Sequence, residues 1–325
     1  MIRLFNCSLA RKLLALLSLA GAVLMAQAQS WPNKPLRFIV GFPPAGGGDI
    51  SARIVANAMQ LGQPVVVENR PGAGGTLAAA AVAKMAPDGY NFVVTDQGAT
   101  IYASALFKSL SYDPQKDLVP VAPFFRTSFV VVAGPGFKGA TLKDLMDEAR
   151  ANPDRVFVGM PGIGTQHHLS IELFNQKSGV QFKPVPYKGG ALSVQDVVGG
   201  QIPVALSGLV STESLVKAGK LRFIAVTSKS RFPNYPDVPA LSEVVPGFEA
   251  AVWVGLWSPA GLAPELLTRL NAEVSRVLRQ PDVIKRYDEN GFEPLPRNLA
   301  ETNALVQSDL ATWPDLIRRL RITLD

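Results

Sequence analysis

Leu36-Arg37-Phe38-Ile39-Val40-Gly41-Phe42-Pro43-Pro44-Ala45-Gly46-Gly47-Gly48-Asp49 reads as an apolar strand that runs into a glycine-rich turn. Ile50 to Met59 then has helical character, so the turn opens a helix. Glycines let a ligand approach the backbone closely, and the first amides of a helix have no partner inside it. With the positive end of the helix dipole they make a place for a carboxylate or a phosphate.

Three more junctions have the same form. Asn69-Arg70-Pro71-Gly72-Ala73-Gly74-Gly75-Thr76 follows a second strand, Gly162-Ile163-Gly164-Thr165 follows Val156–Met160, and Tyr187-Lys188-Gly189-Gly190 ends another strand. For any one of these loops, a tight turn is a sufficient explanation. Four together resemble a convergent site at the carboxyl ends of parallel strands, and a buried carboxylate needs several donors.

Strands are predicted at Leu36–Phe42, Pro64–Glu68, Phe92–Asp96, Phe129–Ala133, Val156–Met160, Val185–Tyr187, Val204–Ser207, Leu221–Thr227 and Ala251–Trp257. Helical stretches such as Thr76–Lys84, Leu142–Ala151, His167–Ser178, Ser193–Val198 and Ser211–Ala218 lie between them. This alternation predicts an α/β fold with largely parallel sheets. The tail is different: Pro264–Leu278, Asp282–Asn290 and Leu299–Leu320 are helical and need a sheet to cover, for which the first lobe is available. A chain that leaves a lobe and returns crosses twice, at Phe124–Phe129 and again near Ala251–Trp257.

The ends and the composition narrow the setting. Arg3, Arg11 and Lys12, the apolar run Leu13 to Met25 and the small residues Ala26-Gln27-Ala28 have the layout of a secretory signal peptide. That run is shorter than the roughly twenty residues of a membrane-spanning helix. Residues 1–28 are therefore expected to be removed, giving a periplasmic product. Cys7, the single cysteine, precedes the apolar run rather than marking the cleavage point, so no lipid anchor is expected. Three of the 32 basic residues lie in this segment, and without them the formal charge falls from +6 to +3. With no Lys/Arg run, that balance does not point to nucleic acid.

Several chemistries lack their residues. No Gly-x-x-x-x-Gly-Lys-Ser/Thr and no Gly-x-Gly-x-x-Gly after a strand occurs, which argues against nucleotide and dinucleotide cofactors. His167 and His168 are the only histidines, and adjacent helix residues point about 100° apart, so no metal centre is expected. Gly-x-Ser-x-Gly is absent, leaving no nucleophile elbow.

At this point the loops resemble a known family. Phe42-Pro43-Pro44-x-Gly46-Gly47-x-Asp49 and Glu68-Asn69-Arg70-Pro71-Gly72-Ala73-Gly74-Gly75 look like the opening of Bug-type receptors, the extracytoplasmic binding proteins of tripartite tricarboxylate transporters. The resemblance continues in order through Tyr112-Asp113-Pro114-x-x-Asp117, Gly164-Thr165-x-x-His168-Leu169, Val185-Pro186-Tyr187-Lys188-Gly189 and Gly199-Gly200-Gln201. It ends with Leu221–Thr227, Pro236-Asp237-Val238-Pro239 and Trp253-x-Gly255-Leu256-x-x-Pro259-Ala260-Gly261.

The resemblance implies a type II periplasmic-binding fold: two α/β lobes around a ligand cleft, with two interlobe crossings. The first lobe would be 29–126 plus 252–325 and the second 127–251. It implies a monomeric receptor that takes a small organic carboxylate, aromatic or amino-acid-like ones included, to integral membrane transporter subunits. No cofactor and no enzymatic step are implied. Alternatives are a receptor that presents its ligand to a membrane sensor, and a periplasmic hydrolase using His168. By position, Phe42, Pro44, Ala45, Gly46 and Gly47 with Pro71, Gly72 and Ala73 would hold one carboxylate. Gly164, Thr165 and His168 would hold the other end, with Tyr187 and Lys188 closing the wall.

Asp49 reads as a loop brace, because a bare acid would repel a carboxylate. Asp96 and Gln97 lie where the ligand's middle would be; Asp96 would pair with an amine or hydroxyl, or simply bond its own loop. Phe124, Phe125 and Arg126 are candidates for an aromatic wall and a carboxylate partner, against hinge packing and an interlobe ion pair. One departure stands out: Thr165-Gln166-His167-His168 replaces the Ser-Pro-Gln-His of many relatives, altering the donors near the second carboxylate.

Overall fold

Three parallel strands, Leu36–Val40 (β1), Val65–Asn69 (β2) and Asn91–Asp96 (β3), begin the fold. Each leads into a helix: Gly47–Ala58 (α1), Thr76–Ala83 (α2) and the short Ala103–Leu106 (α3). β1 is the middle strand, with Phe38 opposite both Val67 and Phe92. Leu36, Phe38, Ile39 and Val40 are fully buried, as a parallel strand covered on both faces requires. The structure, a computed structural model, describes residues 31–153 and 155–324. The expected signal peptide lies outside the described residues.

Leu118–Ala133 (β4) carries the chain into a second unit. This contains Leu142–Ala151 (α4), Val156–Met160 (β5), Gln166–Ser178 (α5), Phe182–Pro186 (β6), Gly190–Val198 (α6), Val204–Gly208 (β7), Leu209–Lys217 (α7) and Arg222–Val226 (β8). Ala251–Pro259 (β9) brings the chain back, and Pro264–Val277 (α8), Pro281–Asp288 (α9), Glu293–Pro294 (β10) and Leu299–Leu320 (α10) complete it. The first half of β4, Leu118 to Ser128, runs antiparallel to β9. Its second half, Phe129 to Ala133, pairs antiparallel with both β7 and β8. β5 lies parallel between β6 and β7. Two parallel α/β units joined by two antiparallel strands constitute the type II periplasmic-binding fold that the sequence predicts.

Two expectations are corrected. The sequence reading begins the crossing strand at Phe129, whereas β4 starts at Leu118. Pro120 and Pro123 hide its first half, since a proline cannot donate to a ladder. The pairing with β9 shifts register between Pro120 and Ala122 and again between Pro123 and Phe125, so each proline sits at an irregularity. The tail also divides. Leu270, Val274, Val277, Val283 and Tyr287 of α8 and α9 share one core with Phe38, Phe92 and Phe124 of the first lobe. Trp313, Leu316 and Ile317 of α10 instead share the core that holds Tyr102 and Leu106 of the first lobe and Leu169 and Phe174 of α5.

Candidate functional site

The helix ends separate into two kinds. α1, α2, α6 and α7 start behind Gly46, Gly75, Gly189 and Gly208, none with a side-chain cap. α4 and α10 carry full capping boxes, Thr141 with Asp144 and Asn298 with Glu301, and α8 and α9 have proline in their first turn. A glycine cap costs only a few tenths of a kcal/mol relative to Ser or Asp, but it supplies no acceptor for the first amides. The four glycine ends lie at the carboxyl ends of strands with parallel partners, where amide donors remain open to an anion, whereas α5, at the end of β5, is capped by the Thr165 hydroxyl.

In the first lobe, Asp49 organises the loop. Its Oδ2 accepts from the Ala45 amide at 2.9 Å, its Oδ1 accepts from Asn69 Nδ2 at 2.8 Å, and Arg53 reaches it at 2.9 Å. Asn69 also donates to the Phe42 carbonyl at 3.1 Å, tying the second glycine loop to the first. Burial opposes the charge on Asp49, but the bonds from Arg53, Ala45 and Asn69 prevail and hold its carboxyl below the usual range. Asp49 is thus the brace that the sequence predicts, and Ala45 sits at φ 62° in the left-handed region beside it. Pro44, Ala45, Pro71 and Ala73 are exposed, and Phe42, Gly46, Gly47 and Gly72 are half-buried along the same edge. A Cβ at Gly41 would stand 3.0 Å from Gly75 Cα, so the two loops are in contact.

Asp96 Oδ1 accepts from the Gly98 amide at 2.9 Å, the local bond rather than an open carboxylate. Burial pushes its carboxyl up to about 6 in spite of the surrounding amides. A carboxyl raised in the folded state adds stability below its unfolded pKa and loses that contribution as pH rises through about 6. Asp96→Asn keeps an acceptor for Gly98 and removes the buried charge. It is expected to melt above the wild-type protein at pH 8, with the gap closing by about pH 4; an unchanged gap across that range in a thermal melt would refute the assignment.

Gln97 does not face the cleft. Its Oε1 accepts from the Trp253 amide at 2.9 Å, and its Nε2 donates to Ala251 O and Asp309 Oδ2, both at 3.3 Å. This side chain is therefore spent in the hinge, a correction to the expected role. Arg126 is likewise spent. It grips Glu293 through Nε at 2.8 Å and Nη2 at 2.7 Å, and Glu249 through Nη1 at 2.9 Å. Phe125 stacks on Phe292 at 4.1 Å and Phe124 packs on Phe38 at 6.2 Å, so the aromatic pair belongs to the core.

In the second lobe, the expected donors are largely used by their own loop. Thr165 Oγ1 donates to Gly162 O at 2.8 Å and accepts from the His168 amide at 3.4 Å. Gly164 N donates to His168 Nδ1 at 3.2 Å, so the imidazole accepts there. Burial lowers the pKa of His168, and it lowers that of His167, packed 3.9 Å from the Phe129 ring, to about 4. Tyr187 turns its hydroxyl onto Asp196 Oδ2 at 2.8 Å, so its side chain is not the cleft wall that was expected. Lys188 is exposed at the loop tip.

The lobes meet at both ends of the gap between these loops. The Tyr102 hydroxyl donates to Gln166 Oε1, and a Cβ at Gly164 would lie 3.2 Å from both Leu106 and Leu324. At the other end, a Cβ at Gly291 would overlap Val210 Cγ2, and one at Gly47 would lie 3.1 Å from Phe292. A recess of about 520 Å³ on the far side of the hinge, lined by Lys177, Arg297 and Asp309 among others, is reached by none of the glycine loops.

Three features escaped the sequence reading. The junction Ser207-Gly208-Leu209-Val210-Ser211 has the same signature as the other loops, an apolar strand followed by glycine. The Thr95 hydroxyl and Gln166 Nε2 are buried without hydrogen-bond partners, a state that sequence alone does not reveal. Thr95 Oγ1 lies 2.7 Å from where a Cβ at Gly75 would be, under the first-lobe loops.

Paired α/β lobes on two hinge strands, with glycine-capped helix ends at the strand termini of both, define a solute receptor of the periplasmic-binding type. The chain belongs to the tripartite tricarboxylate transporter family receptors, whose family model matches residues 51–322. Protein BugT of Bordetella pertussis is 32% identical over 303 residues, covering 92% of this chain and 93% of BugT. The structure of R. palustris Rpa4515 with adipate superposes with a TM-score of 0.74 at 31% identity, covering 90% of this chain and all of that one. MatC from Rhodopseudomonas palustris with bound malate gives 0.70 at 33% identity, covering 88% of this chain and all of MatC. Among the described residues no helix is long and apolar enough to cross a membrane.

Proposed function

We propose that this chain captures a small dicarboxylate between its lobes in the periplasm and delivers it to a tripartite tricarboxylate-type membrane transporter. The lobes in this reading are 29–126 with 252–325, and 127–251. The observation that carries it is the set of four helix ends behind glycines at strand termini, with no side-chain cap on their first amides. Each hydrogen bond to a charged oxygen contributes about 1.5–3 kcal/mol, and each helix end adds about 0.3–1 kcal/mol. Such a site holds a dianion without an arginine fork.

Phe42, Pro44 to Gly47 and Pro71 to Ala73 would take one carboxylate. The other would lie at the loop of Gly164, Thr165 and His168, which shape its end of the site while bonding one another, with Lys188 at the rim and Tyr187 acting only through its backbone. Asp96, bonded to its own loop, would stand beside the ligand's middle without accepting from it. The reading assigns no chemistry to His168, whose Nδ1 is occupied by the Gly164 amide. Adipate and malate in related proteins support a dicarboxylate of about four to six carbons. The test is a melting-temperature screen of ligand-free protein over mono-, di- and tricarboxylates and amino acids. A ligand at a hundred times its Kd adds about 2.7 kcal/mol, a readily measured rise. A flat response to the whole panel would reject the reading.

A further inference from the structure

Gln166 is the first residue of α5, only 7% exposed, and its carboxamide is half satisfied. Oε1 accepts from Tyr102 across the gap between the lobes, while Nε2 is buried with no partner. Turning the amide over only changes which end is orphaned. A buried donor without an acceptor costs free energy, and such groups call for an explanation. Two other orphans, Tyr287 OH and Trp257 Nε1, lie inside packed aromatic clusters, Tyr287 against Phe125 and Phe292 and Trp257 on Trp253. Gln166 differs because it stands at a strand-to-helix junction facing the other lobe.

The rest of that junction is committed. Thr165 is bonded to Gly162, the Gly164 amide to His168, and the His168 amide to Thr165. The carboxamide is the uncommitted side-chain donor there, and it adjoins the first two amides of α5, which the Thr165 cap does not take. Resting on the dicarboxylate reading, we propose that Gln166 is a specificity residue for the ligand's second end. Its Nε2 donates to a carboxylate or carbonyl oxygen, while Oε1 keeps the Tyr102 hydroxyl. One side chain then ties both lobes to the ligand. A neutral donor at this point selects an oxygen acceptor and rejects an ammonium or an alkyl terminus.

The test uses the mature protein with adipate and malate as probes. Gln166→Met keeps the length and removes the polar atoms. It also leaves the buried Tyr102 hydroxyl without its acceptor, so the ligand-free melting temperature is expected to fall by a few degrees, while affinity by calorimetry falls at least tenfold. Gln166→Glu retains an acceptor for Tyr102, so it folds even if the methionine variant does not. It sets a carboxylate against the ligand and is expected to lose more affinity still. Affinity within twofold of wild type in either variant would overturn the proposal. So would a Tyr102→Phe variant whose affinity falls as far as that of Gln166→Met, because it removes the same interlobe bond while leaving the Gln166 donor in place. If the wild type binds neither probe, the dicarboxylate with the largest melting shift in the panel replaces them; a panel flat for dicarboxylates means that the dicarboxylate reading has failed, and this proposal falls with it.

Discussion

Asp49→Ala is expected to lower the stability of the ligand-free protein by about 2–4 kcal/mol and to remove measurable solute binding. The carboxylate is 3% exposed and is the acceptor for the Ala45 amide and Asn69 Nδ2. Alanine leaves those donors in place with nothing to receive them. Most of the loss is assigned to the part-buried Ala45 and Asn69 donors, because Arg53 is half-exposed and its ion pair is screened by water. Ala45, at φ 62°, loses the bond that holds it in the left-handed region, so the loop that offers its amides to the ligand relaxes. The carboxyl pKa is depressed in the folded protein, so its contribution is complete above the ordinary carboxylate range. It is lost as pH falls through the depressed value, and the two proteins converge in acid. Urea unfolding at pH 7 and pH 3 would check this. Equal stability at pH 7 would show that Asp49 is no brace.

The glycine loops were legible because their physics is local: an apolar run, a residue without a Cβ and a helix start fit within a dozen residues. The hinge was less so. Its first half carries Pro120 and Pro123, which argue against a strand until β9, more than a hundred residues later, supplies a ladder that tolerates irregularities. Side-chain direction was not legible at all for Gln97 or Tyr187. Gln97 is drawn to Trp253 and Asp309, partners 156 and 212 residues away. Tyr187 turns because Asp196 comes to lie within 2.8 Å of its hydroxyl. For Arg126 the sequence offered two readings, and Glu249 and Glu293 decide for the ion pair. Burial without a partner, which singles out Thr95 and Gln166, depends on every neighbour at once.

The glycine with the largest expected effect lies outside every candidate loop. Gly134 follows β4, and its amide donates to Pro203 O at 3.2 Å. A Cβ there would overlap the Val197 carbonyl oxygen and stand 2.8 Å from the carbonyl carbon. That carbonyl accepts from the Gly200 amide at 3.1 Å and belongs to a residue with no exposure, so it cannot turn away cheaply. Gly134→Ala must therefore push the carboxyl end of α6 outward by about 1 Å, at a cost of about 3 kcal/mol. At about 2–4 °C per kcal/mol for a chain of this size, melting should fall by roughly 6–12 °C. The amino end of α6 carries Gly189 and Gly190, and a Cβ at Gly190 would meet Pro161 and Ser207, at the ends of β5 and β7. A rigid nine-residue helix transmits displacement along its axis, so ligand affinity should drop about tenfold as well. Gly199→Ala is the matched control at the same end of α6. Its φ is −74° and a Cβ would meet Gln195 O at 3.4 Å, an ordinary contact, so it should melt like the wild type or slightly above it. Indistinguishable melting of the two variants would refute the clash, and normal affinity in a destabilised Gly134→Ala would refute the transmission through α6.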